Sequence, residues 1–384
     1  MRKIIFAFLL VLCSGILRAQ EEKNIADLAF LYQAIQQTPS YKDQLKGDKK
    51  YQELYENLRK DLKANDDFEI FKQLAKLIRP LNDNHLGFYK KADSSYKFIP
   101  PKYKVDSVAM INKYINYPAD SVEGIYQSGK TKYVIRGAEE DEYQIINLST
   151  GELKGVMYKT PHQSFDVIQF APNPYAYTLT RNIKLLNNLL IGTNYYKGDV
   201  KAFYNMISRK EKYDYKVLED QIGYLSLGTF NSTDKEIKAA TDFFDSVKST
   251  INVKHLIVDV RNNFGGGYKN SMQFIRFLRS FPGKIYILQN GYTVSNAEQF
   301  IINLKALGNV KTLGESTRGT IAYGSNYGET LSTPSNRFSF YPTDMIASKK
   351  EVAFESVGVR PDVNLQPFTE DWVKQTINYI KAND

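Results

Sequence analysis

"VKHLIVDVRNNFGGG" (Val253–Gly267) opens with a largely apolar run and ends in three glycines. A continuous apolar run with no polar alternation suits a strand covered on both faces, in the middle of a sheet. The glycines then make a turn. On either side the chain alternates strand-like and helix-like stretches. "QIGYLSLGTF" reads as a strand and "DKEIKAATDFFDSVKS" as an amphipathic helix. "YKNSMQFIRFLRSF" reads as a helix, "GKIYILQN" as a strand, "NAEQFIINLKAL" as a helix and "VKTLGE" as a strand. Apolar spacing of three and four in the helices and short apolar runs in the strands carry these assignments. Repeated βαβ units predict an α/β core over residues 216–384, closed by a helix in "FTEDWVKQTINYIKA".

The rest of the chain differs in character. Residues 20–92 carry apolar residues at helical spacing in "IADLAFLYQAIQQ" and "FEIFKQLAKLI", with Pro80 as a stop. "LNDNHLGFY" follows as a turn entering an extended piece. Residues 93–215 hold short β-rich runs broken by Gly, Asn and Pro, such as "GIYQSG", "KYVIRG" and "SFDVIQFAPNP", and predict a β-rich middle module.

The start of the chain reads as an export signal. Arg2 and Lys3 precede the apolar run Ile4–Leu12, and Ala19 offers a small residue at the cut. The run is short for a membrane span. Bulky Leu12 before Cys13 argues against a lipid-modified cysteine. Loss of residues 1–19 takes away Arg2, Lys3 and Arg18, so the net charge falls from +9 to +6. Cys13 is the only cysteine. The mature chain then has no disulfide, no thiol nucleophile and no cysteine metal site. A bacterial periplasm or cell surface fits this pattern. Basic residues are interspersed with acids, and no nucleic-acid motif stands out. No second apolar run approaches membrane-spanning length.

Two stretches bear chemistry, each at the carboxyl end of an expected strand, where α/β sheets place their sites. The glycine run leaves backbone N–H groups uncovered, as a tight turn or as donors to an oxyanion. In "NGYTVSNAEQF" (Asn290–Phe300), Ser295 and Glu298 fit a capping box. Ser295 is therefore a helix cap or a nucleophile, and Glu298 can support either. A nucleophilic serine needs a base, and the chain has three histidines. His255 begins a buried strand and reads as structural. His162 sits in the loop "TPHQS" and reads as solvated. His85 lies in "LNDNHLGFY", where two layers can meet.

"IGYLSLGTF", "LIVDVRNNFGGG", "GYTVSNAEQF", "TLGESTRGT" and "FESVGVRPDV" occur in this order. Order and spacing resemble those of the tail-specific, or C-terminal processing, serine peptidases, over Ile222 to about Leu365. The resemblance implies a crotonase-like spiral α/β fold of the ClpP/crotonase kind. It implies Ser295 as nucleophile, with the N–H groups of Gly266 and Asn296 as oxyanion hole. One branch of the family carries a lysine base where this chain has Thr320. The tricorn-like branch uses histidine and glutamate. His85 in "DNH" and Glu355 before "VGVRPD" resemble that pair, with Asn84 where tricorn has a serine. No cofactor or metal is implied, and the partner is a polypeptide substrate. The reading is an exported serine peptidase. The alternatives are a non-catalytic binding protein on the same fold, as the retinoid-binding relatives illustrate, or an esterase-type hydrolase.

Overall fold

The computed structural model describes residues 2–63, 66–92, 99–138, 141–170, 175–198, 207, 209–219, 221–325, 328–345 and 348–384, with side chains from residue 19 on apart from Tyr175. The export reading rests on residue 1 and on side chains before residue 19, which lie outside the described residues. A helix spans Arg2–Gln37. Among the described residues no helix is long and apolar enough to cross a membrane.

Two sheets organise the chain. In the first, Ile222–Leu227, His255–Asp259, Lys284–Gln289, Val310–Gly314 and Val363–Asn364 run parallel, and Tyr213–Glu219 adds an antiparallel edge. The alternation of side chains along each strand explains the unbroken apolar runs. Leu256 and Val258 face the helices Asp234–Val247, Tyr268–Ser280 and Asn296–Lys305, while Ile257 faces Trp372 and Ile380 of the closing helix Trp372–Ala382. Both faces are covered, so the strand positions are mostly apolar on either side. The result is a mixed α/β protein with large sheets.

The second sheet is antiparallel. Among the described residues it holds ten strands drawn from three parts of the chain. Seven strands lie between Gly124 and Ile191. Gly87–Lys91 pairs on one side with Tyr175–Leu186 and on the other with Ser339–Tyr341. Phe71, Leu74 and Ile78 of the helix Asp67–Ile78 pack on one face with Phe88, Tyr177, Phe338 and Phe340. Phe71 stacks on Phe88 at 4.3 Å between ring centres. Arg337 binds Asp27 at 2.8 Å and Asp67 at 3.0 Å, which fastens the hairpin near Ser339 to the N-terminal helices. These contacts fix the strand that follows His85.

One helix, Ser107–Tyr114, falls where the sequence reads as β-rich. Its cap explains it. The Asp106 carboxylate accepts the N–H groups of Val108 at 3.1 Å and Ala109 at 3.0 Å, which starts a helix in an otherwise β-rich neighbourhood.

Candidate active site

The glycine turn and the serine turn are built as one unit. Asn263 donates to the Leu227 carbonyl at 2.9 Å, and its side-chain oxygen accepts the Gly265 N–H at 2.9 Å. Its carbonyl accepts the Val294 N–H at 3.0 Å. Asn290 accepts the Asn262 N–H at 3.0 Å and donates to the Asn262 side chain at 2.7 Å. Three asparagines thus lock the ends of adjacent strands together. Gly266 has φ +140, and a Cβ there would lie 1.8 Å from the Phe230 carbonyl oxygen, so only glycine fits.

Ser295 caps the helix Asn296–Lys305 in an unusual conformation, φ 57 and ψ −123. A non-glycine residue held in the left-handed region is strained, and such strain gathers at functional sites. Glu298 holds it there. Its fully buried carboxylate accepts the N–H of Ser295 at 2.9 Å, Gly319 at 2.6 Å and Thr320 at 3.0 Å, and also the Thr317 hydroxyl. Burial pushes its pKa up, and these donors pull it back in part. The expected support of the turn by Glu298 is therefore present, and it extends to the loop 317–320.

The Ser295 hydroxyl oxygen lies 3.2 Å from His85 Nε2. The backbone N–H of His85 donates to Asp83 at 3.2 Å, and Asp83 accepts the Thr343 hydroxyl at 2.6 Å. His85 Nδ1 is buried and, among the described residues, without a protein partner. Burial lowers the imidazole pKa below its ordinary value; Asp83 opposes this and Arg318 adds to it. The neutral form, which can accept a proton, is favoured.

Glu355 is buried and accepts the N–H groups of Asn84 at 2.9 Å, Ile321 at 2.7 Å and Ala322 at 2.7 Å. Burial pushes its pKa up to about 7, against the pull of those donors. The carboxylate reaches the residue before His85, not the ring. The Asn84 side chain donates to the Gly319 carbonyl and to Ser356, each at 2.9 Å.

The antiparallel sheet grips both loops. Arg181 donates to the Asp83 carbonyl at 3.0 Å and is paired with Asp166 at 3.3 Å. Asn182 donates to the carbonyls of Arg318 at 2.6 Å and Gly319 at 3.2 Å. Lys184 donates to the Val357 carbonyl at 2.9 Å, and burial lowers its pKa to about 8. None of these three residues carries a sequence signal, since polar residues on a strand read as solvated.

Ser295, His85, Glu355, Gly266 and Asn296 thus converge from three distant parts of the chain. Gly265 bridges the last two: a Cβ on it would lie 2.8 Å from the Asn296 nitrogen. Among the described residues neither the Gly266 nor the Asn296 N–H donates to a protein acceptor. His255 lies elsewhere, buried between Tyr286 at 3.3 Å and Asp384 at 3.2 Å. His162 is exposed. Among the described residues no cluster of His, Cys, Asp and Glu is suited to a metal ion.

An α/β core with a strained serine at a helix start is the frame of a serine-type peptidase. Residues 221–280 and 276–365 match the sequence profile of peptidase family S41. The matched residues span most of the α/β core; over them the chain is similar to that family, and the match marks it as a serine-type peptidase, a hydrolase. No curated protein matches the chain. Similar solved structures include a putative peptidase from Parabacteroides merdae, at 16% identity over 95% of this chain and 98% of that one, TM-score 0.48. The tricorn protease is similar at 12% identity over 94% of this chain and 37% of that one, TM-score 0.49. The photosystem II D1 C-terminal processing protease is similar at 16% identity over 90% and 93%, TM-score 0.38.

Proposed function

We propose that the chain is an exported peptidase with a crotonase-like core that cleaves polypeptides through a Ser295 acyl-enzyme. The observation that carries this is the 3.2 Å approach of His85 Nε2 to Ser295 Oγ, between residues 210 apart in sequence. Ser295 Oγ attacks the substrate carbonyl carbon and its proton passes to His85 Nε2. The N–H groups of Gly266 and Asn296 receive the negative oxygen, near the positive end of the helix that follows Ser295. The carbon–nitrogen bond breaks, and His85 returns the proton to the leaving amine. Water, deprotonated by His85, then attacks the acyl carbon and releases the acid. Glu355 positions the base through Asn84.

A fluorophosphonate probe tests the nucleophile. Labelling at Ser295, with peptide hydrolysis lowered by roughly three orders of magnitude in Ser295→Ala, is the expected result. An unlabelled Ser295, or a Ser295→Ala chain with native turnover, would refute it. Export predicts a mature chain that starts at Gln20, which mass spectrometry of protein from its host can read.

A further inference from the structure

Among the described residues, the cation Arg318 beside the nucleophile turn forms no ion pair with a carboxylate. The Arg318 N–H donates to the Thr293 carbonyl at 3.2 Å, two residues before Ser295. Its Nη2 donates to the Arg181 carbonyl at 3.0 Å. Its Nε is buried and, among the described residues, has no acceptor. The guanidinium lies against Gly192, where a Cβ would sit 2.4 Å from Nη1. Glu298, the carboxylate whose field Arg318 feels, is occupied by Ser295, Thr317, Gly319 and Thr320. The Nε donor is thus desolvated without a partner, which is costly, while Nη2 keeps its carbonyl.

Arg318 lines a cavity of about 410 Å³ between the two sheets. Phe264 and Tyr292 form one wall as an edge-to-face pair, 6.4 Å between ring centres. Phe264 directly precedes Gly265, whose Cβ would lie 2.9 Å from that of Ser295. Phe170 and Tyr195 line the cavity from the antiparallel sheet. An exposed phenylalanine beside a nucleophile, with a guanidinium across from it, makes a pocket for a group that is apolar in body and anionic at the tip.

We propose that Arg318 is a specificity residue that receives a carboxylate of the bound polypeptide in this cavity, with Phe264 and Tyr292 holding the apolar part of the same residue. This rests on the Ser295–His85 reading above. The carboxylate is either the chain-end α-carboxylate or an Asp or Glu side chain. A guanidinium meets either in a two-pronged pair. The pairing also reaches the base: Arg318 disfavours a proton on His85, and a bound carboxylate relieves that opposition.

Four small probes separate these cases on the full chain by calorimetry: N-acetylphenylalanine against its amide, and N-acetyl-Asp-Phe amide against N-acetyl-Asn-Phe amide. We expect the anionic member of one pair to bind about tenfold to a hundredfold more tightly, the worth of bonds to a charged group. A preference in the first pair assigns the chain end; one in the second assigns a side chain. In Arg318→Gln the ratio should collapse toward one, and Arg318→Lys should restore part of it. A wild-type chain that treats both pairs alike overturns the proposal, whatever the variants do. So does a folded Arg318→Gln chain that keeps the full ratio. Fluorophosphonate labelling is run in parallel. Labelled Ser295 with no carboxylate preference refutes this proposal alone. A carboxylate preference without labelling refutes the nucleophile and supports the carboxylate site.

Discussion

Glu355 accepts the backbone N–H of Asn84 at 2.9 Å and so grips the chain one residue before His85. The same carboxylate takes the N–H groups of Ile321 and Ala322, each at 2.7 Å. It therefore ties the loop of the proposed base to the loop that follows Arg318. We propose that its effect on His85 is on position, carried by the backbone, and less on charge.

Glu355→Gln tests this. A glutamine has one acceptor oxygen and one NH2 group. Whichever way the amide turns, a buried backbone N–H faces a donor, at a cost of about 1–3 kcal/mol. We expect kcat to fall roughly tenfold to a hundredfold with KM little changed. A stability readout adds a sign. Glu355 is pushed up to about 7 from 4.5, so between these values the folded chain holds a proton that the unfolded chain has lost. This term weakens stability as pH rises through that window. The stability of wild type relative to Glu355→Gln should therefore be greatest at low pH, fall between about 4.5 and 7, and level off above about 7. A difference that is flat with pH, together with native kcat, would remove Glu355 from the site.

The pH profile reports on His85. The base must be neutral to accept the serine proton. Burial, opposed by Asp83 and reinforced by Arg318, lowers its pKa below 6.5. Activity should then rise with pH and reach its plateau at or below neutrality, with the midpoint of the acid limb in kcat/KM under 6.5. The limb should persist in Glu355→Gln, which separates it from the carboxyl that titrates near 7. An acid limb centred above 7, or full activity in His85→Ala, contradicts the assignment.

Much of the core was legible because its signals are local. Unbroken apolar strands and amphipathic helices between Ile222 and Gly314 were read in order. Ser295 and Glu298 were visible as a pair three residues apart. His85 was legible only as a loop histidine and through resemblance, because its partner lies 210 residues away. Asn263, Asn290, Arg181 and Asn182 act through bonds to distant backbone groups, and a single sequence gives such residues no period or spacing. The share of Leu331–Ser332 and Ser339–Tyr341 in the antiparallel sheet was hidden for the same reason. Short strands announce no partner.

Glu298→Gln probes the staple under the serine. One carboxylate oxygen serves Thr317 and Gly319; the other serves Ser295 and Thr320. An amide can keep one pair only. The other pair contains at least one buried N–H, and losing its acceptor costs about 1–3 kcal/mol. We expect a lower Tm together with slower fluorophosphonate labelling, since Ser295 is held in its strained conformation by this bond. A variant that loses Tm yet labels at the native rate would show that Glu298 supports the fold without presenting the serine.

Gly265→Ala tests whether the glycine turn and the serine turn are one mechanical unit. Gly265 has φ +82, which an alanine adopts only under strain of about 1–3 kcal/mol. The new Cβ would also lie 2.6 Å from the Val294 carbonyl oxygen, 2.8 Å from the Asn296 nitrogen and 2.9 Å from Ser295 Cβ. Two of these neighbours are backbone atoms, and the third belongs to a residue that Glu298 already pins. Relief must come from a shift of the turn itself, which moves the Asn296 N–H away from the place where an oxyanion would form. Loss of one such donor costs roughly a hundredfold or more in kcat. Gly308→Ala serves as the control, because a Cβ there meets nothing within 4 Å. The expected result is a folded Gly265→Ala chain with kcat down by roughly two orders of magnitude, beside a Gly308→Ala chain close to native. Equal turnover in the two variants would mean that the turns move independently and that the donors near Ser295 are not set by Gly265.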